Sequence, residues 1–433
     1  MKLIGQRILE AIEKIPLIDP HTHINPLIPA SSNLADLLGY HYYTELAHSS
    51  GMRKSRIESP GGLSPRSLVG RLFTEGLPSV SNTVQYDWFL DICRLFFGWE
   101  DFEVSSNNWE SLYDEAEKIM SNANWAEEVL RKSNVEALFL TNNFDDDLVG
   151  FNKDVYIPCL RADELVFQLR APGVRERLIS SSSMNLTGSL ASLREVLEER
   201  VKHFITAGCR ACAISLPPDF APEFIPFEQA TQAWESALQS HQAFATSKDR
   251  SLSYWVFWTL SELCDQYELP FDLMVGVNRD VYRDGVHQGR DLFDSRMSLI
   301  QYAELFNSFP NVKFPVSVLA SVTNQELVSY SWIFPNVITN GHWWYSNTPN
   351  FISFDLSSRL QSIPRNKQIG YYSDAYKLEF IAPKFSMYRK ILASTLAEDF
   401  VVTRKWPEEK AIQLGFEVIR GNISSVFPNR SKV

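Results

Sequence analysis

His21 and His23 stand one residue apart in Pro16-Leu-Ile-Asp-Pro-His-Thr-His23, and a strand would put both imidazoles on one face. Two imidazoles so placed can bind one cation together. Ile15, Leu17 and Ile18 lead into the pair, so the stretch reads as a short buried strand that ends where the histidines emerge. Two solvent-facing histidines on an alternating strand would give the same pattern. The place of the pair, closing the first apolar strand of a long chain, favours the metal.

A carboxylate that could complete such a site is Asp374, just after Gly370-Tyr-Tyr-Ser373. It is a candidate metal ligand and general base; as a helix N-cap it would have a purely structural job. Asn142, Asn143, Arg161, Ser215 and Arg279 follow other strand-like runs, as does His342 in Gly341-His-Trp-Trp-Tyr-Ser-Asn347. Arginines there can grip a carboxylate through paired N–H donors, or be held in salt bridges. His342 can reach a site or serve structurally, and Trp343, Trp344 and Tyr345 can pack beneath a loop. His41 and His48 lie near Tyr40, Tyr42 and Tyr43 and read as bordering the site; His203, His241 and His287 suggest no role.

The elements that would position these residues are eight short apolar runs. After the first strand they are 135–141, 155–160, 209–216, 270–277, 312–318, 337–340 and 368–372. Helical patterns such as 189–207, 255–267 and 297–307 lie between them. Alternation of this kind argues for a parallel sheet, and eight repeats for an α/β protein of the (β/α)₈ TIM-like barrel type. Active sites of that fold lie at the C-terminal ends of the strands, where these candidates fall. Residues 24–134 fit no strand pattern and read as a large helical insertion after strand one, packed over the barrel mouth. The whole of 1–433 reads as one barrel domain carrying it.

Composition sets further bounds. The 433 residues are 45% hydrophobic and 21% charged, ordinary for a globular protein. The net charge is −11, from 41 basic and 52 acidic residues with no basic cluster, which argues against nucleic acid or an anionic membrane as partner. Five cysteines are sparse, and Cys209 and Cys212 read as part of a buried strand rather than a redox or zinc pair. No secretory signal opens the chain and no apolar run reaches 18 residues, so a cytoplasmic protein is expected. The sequons at Asn185, Asn422 and Asn429 then read as accidental. No dinucleotide, Walker or serine-hydrolase motif occurs.

His21-Thr-His23 on strand one, the helical insertion, Trp343-Trp344-Tyr345 after strand seven and Ser373-Asp374 after strand eight resemble the uronate (glucuronate) isomerases of the amidohydrolase superfamily. His203-Phe-x-x-x-Gly-Cys209 and Tyr388-Arg-Lys-Ile-Leu392 extend the likeness in outline over nearly the whole chain. The resemblance implies one divalent metal, typically zinc, held by His21, His23 and Asp374. It implies Tyr42, Arg161 and Arg279 as contacts of an open-chain sugar acid; His342 and Trp343, read from their place after strand seven, are further substrate-binding candidates. The reaction implied is the aldose–ketose conversion of D-glucuronate to D-fructuronate through an enediol, with Asp374 and Tyr42 as proton carriers. A homo-oligomer is compatible with the sequence.

The chain departs from that family in places. Met274 stands where the family has a strand-five histidine, Tyr376 where it has an arginine, His342 where it has glycine before the tryptophans, and Ala213-Ile214 where it has Asp-His. These departures point to a kept metal site with altered substrate recognition. A metal-dependent hydrolase or decarboxylase of the same superfamily, or a catalytically silent barrel, are the alternatives.

Overall fold

A computed structural model describes residues 2–59, 61–184, 186–239 and 250–429; His241 and the Asn185 sequon lie outside the described residues. The strands are β1 (Leu17–Asp19), β2 (Val135–Phe139), β3 (Asn142–Asn143), β4 (Tyr156–Ile157), β5 (Leu160–Arg161), β6 (Cys212–Leu216), β7 (Phe271–Val275), β8 (Val277–Asn278), β9 (Leu292–Phe293), β10 (Phe314–Val318), β11 (Val337–Asn340) and β12 (Gln368–Ile369). All pair in parallel except the β8–β9 hairpin. β2 and β3 are two parts of one barrel strand, and so are β4 and β5. Leu140 N donates to Ile157 O and Asn142 N to Cys159 O, both at 2.9 Å, carrying the ladder across the breaks.

The sheet therefore runs from β1 through β2/β3, β4/β5, β6, β7, β10 and β11 to β12. Its two edges meet beyond β1 and β12. Asp374 N donates to His21 O at 3.1 Å and His23 N donates to Ala375 O at 2.8 Å. The α/β sheet is thus closed into the eight-position barrel that the sequence led us to expect.

Several expected boundaries move, two of them for a visible local reason. The fifth strand stops at Val275 because Gly276 takes φ +106, so 277 belongs to the hairpin. The helix expected over 297–307 splits into a 3₁₀ turn, Leu299–Tyr302, and a short helix, Ala303–Ser308. Ser298 and Gln301 form a capping box at that turn, which fixes its start.

Between β1 and β2 the chain is helical, and its longest element, Val84–Phe97, shows why. The Thr83 side chain accepts from Tyr86 N, and Gly98 ends the helix at φ +66, a conformation that suits glycine. Trp88, Phe89, Ile92, Cys93, Phe96 and Phe97 recur at helical spacing and are buried. Burial of each large apolar side chain contributes roughly 1.5–3 kcal/mol. These residues share one core with the N-terminal helix Lys2–Glu13 and the helix Ile381–Thr395. A separate cluster joins Ile18, Phe139, Ile157 and Ile369 to Ile423, Val426 and Phe427 near the C-terminus. All five cysteines are buried and free. No helix among the described residues is long and apolar enough to cross a membrane.

Gly341 follows β11 at φ +54, and a Cβ there would run into the Tyr372 ring. Gly341→Ala should therefore destabilise the protein by about 1–3 kcal/mol, from overpacking and a left-handed backbone. A thermal melt unchanged from that of the unsubstituted protein would contradict this reading.

Candidate metal centre and its chamber

The barrel seam brings His21, His23 and Asp374 together, with one ligand atom of each lying within 4.8 Å of the others. His23 Nε2 is 3.3 Å and His21 Nε2 3.7 Å from Asp374 Oδ1. Ligands at about 2.0–2.2 Å from a tetrahedral ion would be separated by roughly 3.3–3.6 Å, so the three atoms match one divalent metal. His21 Nε2 and Asp374 Oδ1 are buried and find no hydrogen-bond partner among the described residues. Buried polar atoms are seldom left so, and a cation would satisfy both.

The other ring nitrogens face the protein. His21 Nδ1 lies 3.6 Å from Asp272 Oδ2, and Asp272 accepts from Asn340 Nδ2 at 3.0 Å. His23 Nδ1 contacts Thr141 Oγ1 at 2.7 Å, and that hydroxyl donates its proton to Thr22 O. Thr141 must then accept from His23 Nδ1–H, which leaves Nε2 with its lone pair turned inward. Burial lowers the His23 pKa, against the pull of Asp374, so the neutral ring needed for coordination is favoured. Burial alone would raise the Asp374 carboxyl, but His23, His21 and Lys384 outweigh it and bring it down to about 2.

Asp374 takes φ +52, an uncommon conformation outside glycine that aspartate tolerates better than most. It caps no helix: the next helical turn, Leu378–Phe380, has Lys377 at its N-cap. The turn is held on several sides. Asp19 Oδ1 accepts from Ser373 N at 3.0 Å and from His21 N at 3.5 Å. Tyr40 Oη donates to Asp374 O at 3.0 Å.

His21, His23 and Asp374 line a chamber of about 200 Å³ that shares Arg161, Asp163, Ser215 and Arg279 with an outer cavity of about 950 Å³. Arg161 Nε pairs with Asp163 at 3.3 Å. Arg279 pairs with Asp291 at 2.6 Å and donates to Ser215 Oγ at 3.0 Å. Both arginines are thus salt-bridged and on the chamber wall at once. Trp343 also lines the chamber, as do Met274, Ala213 and Ile214. Tyr376 does too, with its ring stacked on His23 at 4.8 Å.

Two candidates lie elsewhere. Tyr42 borders neither cavity; it is buried against Tyr40, His41 and Trp88. His342 is 1% exposed and points away from the chamber, toward Asp355 at 3.9 Å. Gly341 turns the backbone there, so the neighbouring Trp343 faces the chamber instead. Of the insertion histidines, His41 lines the chamber, while His48 stacks on Tyr282. Lys377 is paired with Asp36 rather than serving the site.

Sequence reasoning missed Asp19, Asp272, Tyr40 and Lys384. A usable signal existed for the first two: each is a lone carboxylate inside an apolar strand, a place where charge is costly without a purpose. Asp19→Ala should leave Ser373 N and His21 N without their acceptor, at about 2–4 kcal/mol. A melting temperature equal to that of the unsubstituted protein would count against this role.

Similar proteins agree with the geometry. A family model described as Glucuronate isomerase matches residues 5–420. A uronate isomerase of Nostoc punctiforme is 21% identical, over 96% of this chain and 92% of its own length. One from Corynebacterium efficiens is 22% identical, over 98% of this chain and 95% of its own. The crystal structure of uronate isomerase from Thermotoga maritima superposes with a TM-score of 0.88 at 19% identity, covering 98% of this chain and 97% of that one. At that identity the superposition speaks for the fold.

Proposed function

The chain belongs to the glucuronate isomerase family, and on that premise we propose that it interconverts the aldose and ketose forms of a sugar acid, of the D-glucuronate to D-fructuronate type. The reading places one divalent metal on His21, His23 and Asp374. The observation that carries it is the convergence of three ligand atoms, two of them otherwise unsatisfied, on the wall of a chamber that also presents two arginines. An N₂O donor set with borderline imidazoles suits zinc.

When bound, the ion would polarise the substrate's carbonyl and hydroxyl oxygens. The protein's own groups do the rest. Arg161 and Arg279 orient the substrate carboxylate, and Trp343 supplies an apolar wall. Asp374, ionised and on the chamber wall, is the group that moves a proton between C2 and C1. Tyr42 lines neither cavity, and the proposal gives the proton transfer to Asp374. Residues 1–433 act in this reading as one barrel unit with 24–134 inserted, in the cytoplasm, on a small-molecule partner.

The test is to incubate the metal-loaded protein with D-glucuronate and D-galacturonate and to follow ketose formation. Conversion of at least one is expected. Failure on both would remove the isomerase reading. His21→Ala with His23→Ala should abolish bound metal and activity together, and stoichiometric metal in that variant would sink the ligand assignment. Arg279→Met should raise KM about 10- to 100-fold, the loss of one or two charge-assisted hydrogen bonds. An unchanged KM would take that arginine out of substrate binding.

A further inference from the structure

Lys384 lies on the helix Ile381–Thr395 and is fully buried. Its ammonium sits over the rings of Tyr40, Tyr42 and Trp88, at 5.1, 5.1 and 4.9 Å from their centroids. Ring faces attract a cation but do not neutralise it. Among the described residues, hydrogen bonds to two oxygens are its polar contacts, and neither oxygen belongs to a carboxylate. Burial accordingly lowers its pKa to about 8, with Asp374 and Asp19 pulling the other way. An apolar side chain of the same length would fill the space among the rings at less cost, so filling space does not explain a charge there.

The two contacts do. Lys384 Nζ donates to Ser373 O at 2.8 Å and to Tyr40 Oη at 3.1 Å. Tyr40 Oη in turn donates to Asp374 O at 3.0 Å. Two consecutive carbonyls are therefore held by one ammonium, the first directly and the second through a phenol. The residue between those anchors is Asp374 at φ +52, a conformation that a residue other than glycine keeps only where its surroundings impose it. The strand side of the turn is fixed separately, by Asp374 N on His21 O and Ser373 N on Asp19. The carbonyl side depends on Lys384 and Tyr40.

We propose that Lys384 and Tyr40 are positioning residues that hold the Ser373–Asp374 turn so that Asp374 Oδ1 faces both histidine Nε2 atoms, and that they thereby set the affinity and geometry of the metal centre. The inference rests on the metal reading above and adds a buried cation and a phenol that act on the backbone of the turn rather than on the side chains of the three ligands. Partners of this outer kind typically change metal affinity 10- to 100-fold.

The test strips the purified protein with a chelator and titrates it with Co²⁺, whose visible absorption reports the ligand set and its geometry. Tyr40→Phe and Lys384→Met should each weaken Co²⁺ binding by about 10- to 100-fold and alter the spectrum. Lys384→Arg, which keeps the charge and the donors, should recover part of both. The effects of Tyr40→Phe and Lys384→Met should not add, because the two residues act in series on one turn. Melting of metal-free Tyr40→Phe should stay close to that of the unsubstituted protein, which separates aim from general stability. A folded Lys384→Met protein with unaltered affinity and spectrum would overturn the proposal. So would an unaltered Tyr40→Phe protein, which decides alone should Lys384→Met fail to fold. If the unsubstituted protein takes up no Co²⁺, the metal reading falls and this inference with it; normal uptake by every variant removes only this inference.

Discussion

Closure of the barrel at one seam is the constraint on which the rest depends. A parallel sheet left open there would expose the unpaired backbone of β1 and β12 as edges. The bonds that close it, Asp374 N to His21 O and His23 N to Ala375 O, are made by the same residues whose side chains converge on one point. Assembly of the fold and assembly of the site are thus one event. Distance in sequence, more than three hundred and fifty residues between His21 and Asp374, is no obstacle because register across the seam sets the alignment.

Such a seam concentrates charge in a buried place, and the chain answers with layers. Asp374 faces two imidazoles; Asp272 and Thr141 occupy the outer nitrogens of those imidazoles; Asp19 and Lys384 hold the backbone. Asp19 shows what this costs: burial raises its carboxyl to about 6, against the backbone bonds from Ser373 and His21 that favour the charge. A buried carboxylate retained under that burden is serving geometry more than stability. Asp272 is likewise buried, between His21 on one side and Asn340 on the other.

Much of this was legible in the sequence, and particular residues show where legibility ends. Strands such as Val135–Phe139 stood out because buried parallel strands are largely apolar runs. His21 and His23 stood out because spacing within one strand fixes their relative direction. Asp374 was legible as a candidate, but its φ of +52 was not, since that depends on anchors from three other segments. His342 and Tyr42 show the limit most clearly. Both are polar residues next to a predicted site, and a single glycine turn or a helix rotation decides whether such a residue faces the chamber or the core. No local pattern encodes that choice. Lys384 was invisible for the same reason: a lysine on a helix normally faces water, and only the packed ring cage reveals that this one does not.

Charge balance ties the metal reading to the class of substrate. Arg161 and Arg279 each already face a carboxylate, Asp163 and Asp291, so neither brings a free positive charge to the chamber. They can orient an anion through their remaining donors without having to be neutralised by it. The ligand set of two neutral imidazoles and one carboxylate would leave a bound divalent ion with one net positive charge. A monoanionic substrate cancels that charge, whereas a neutral sugar leaves it uncompensated in a largely buried chamber and a dianion overshoots it. The charge on the ligand set and the paired arginines of the wall are therefore compatible with a substrate carrying one carboxylate.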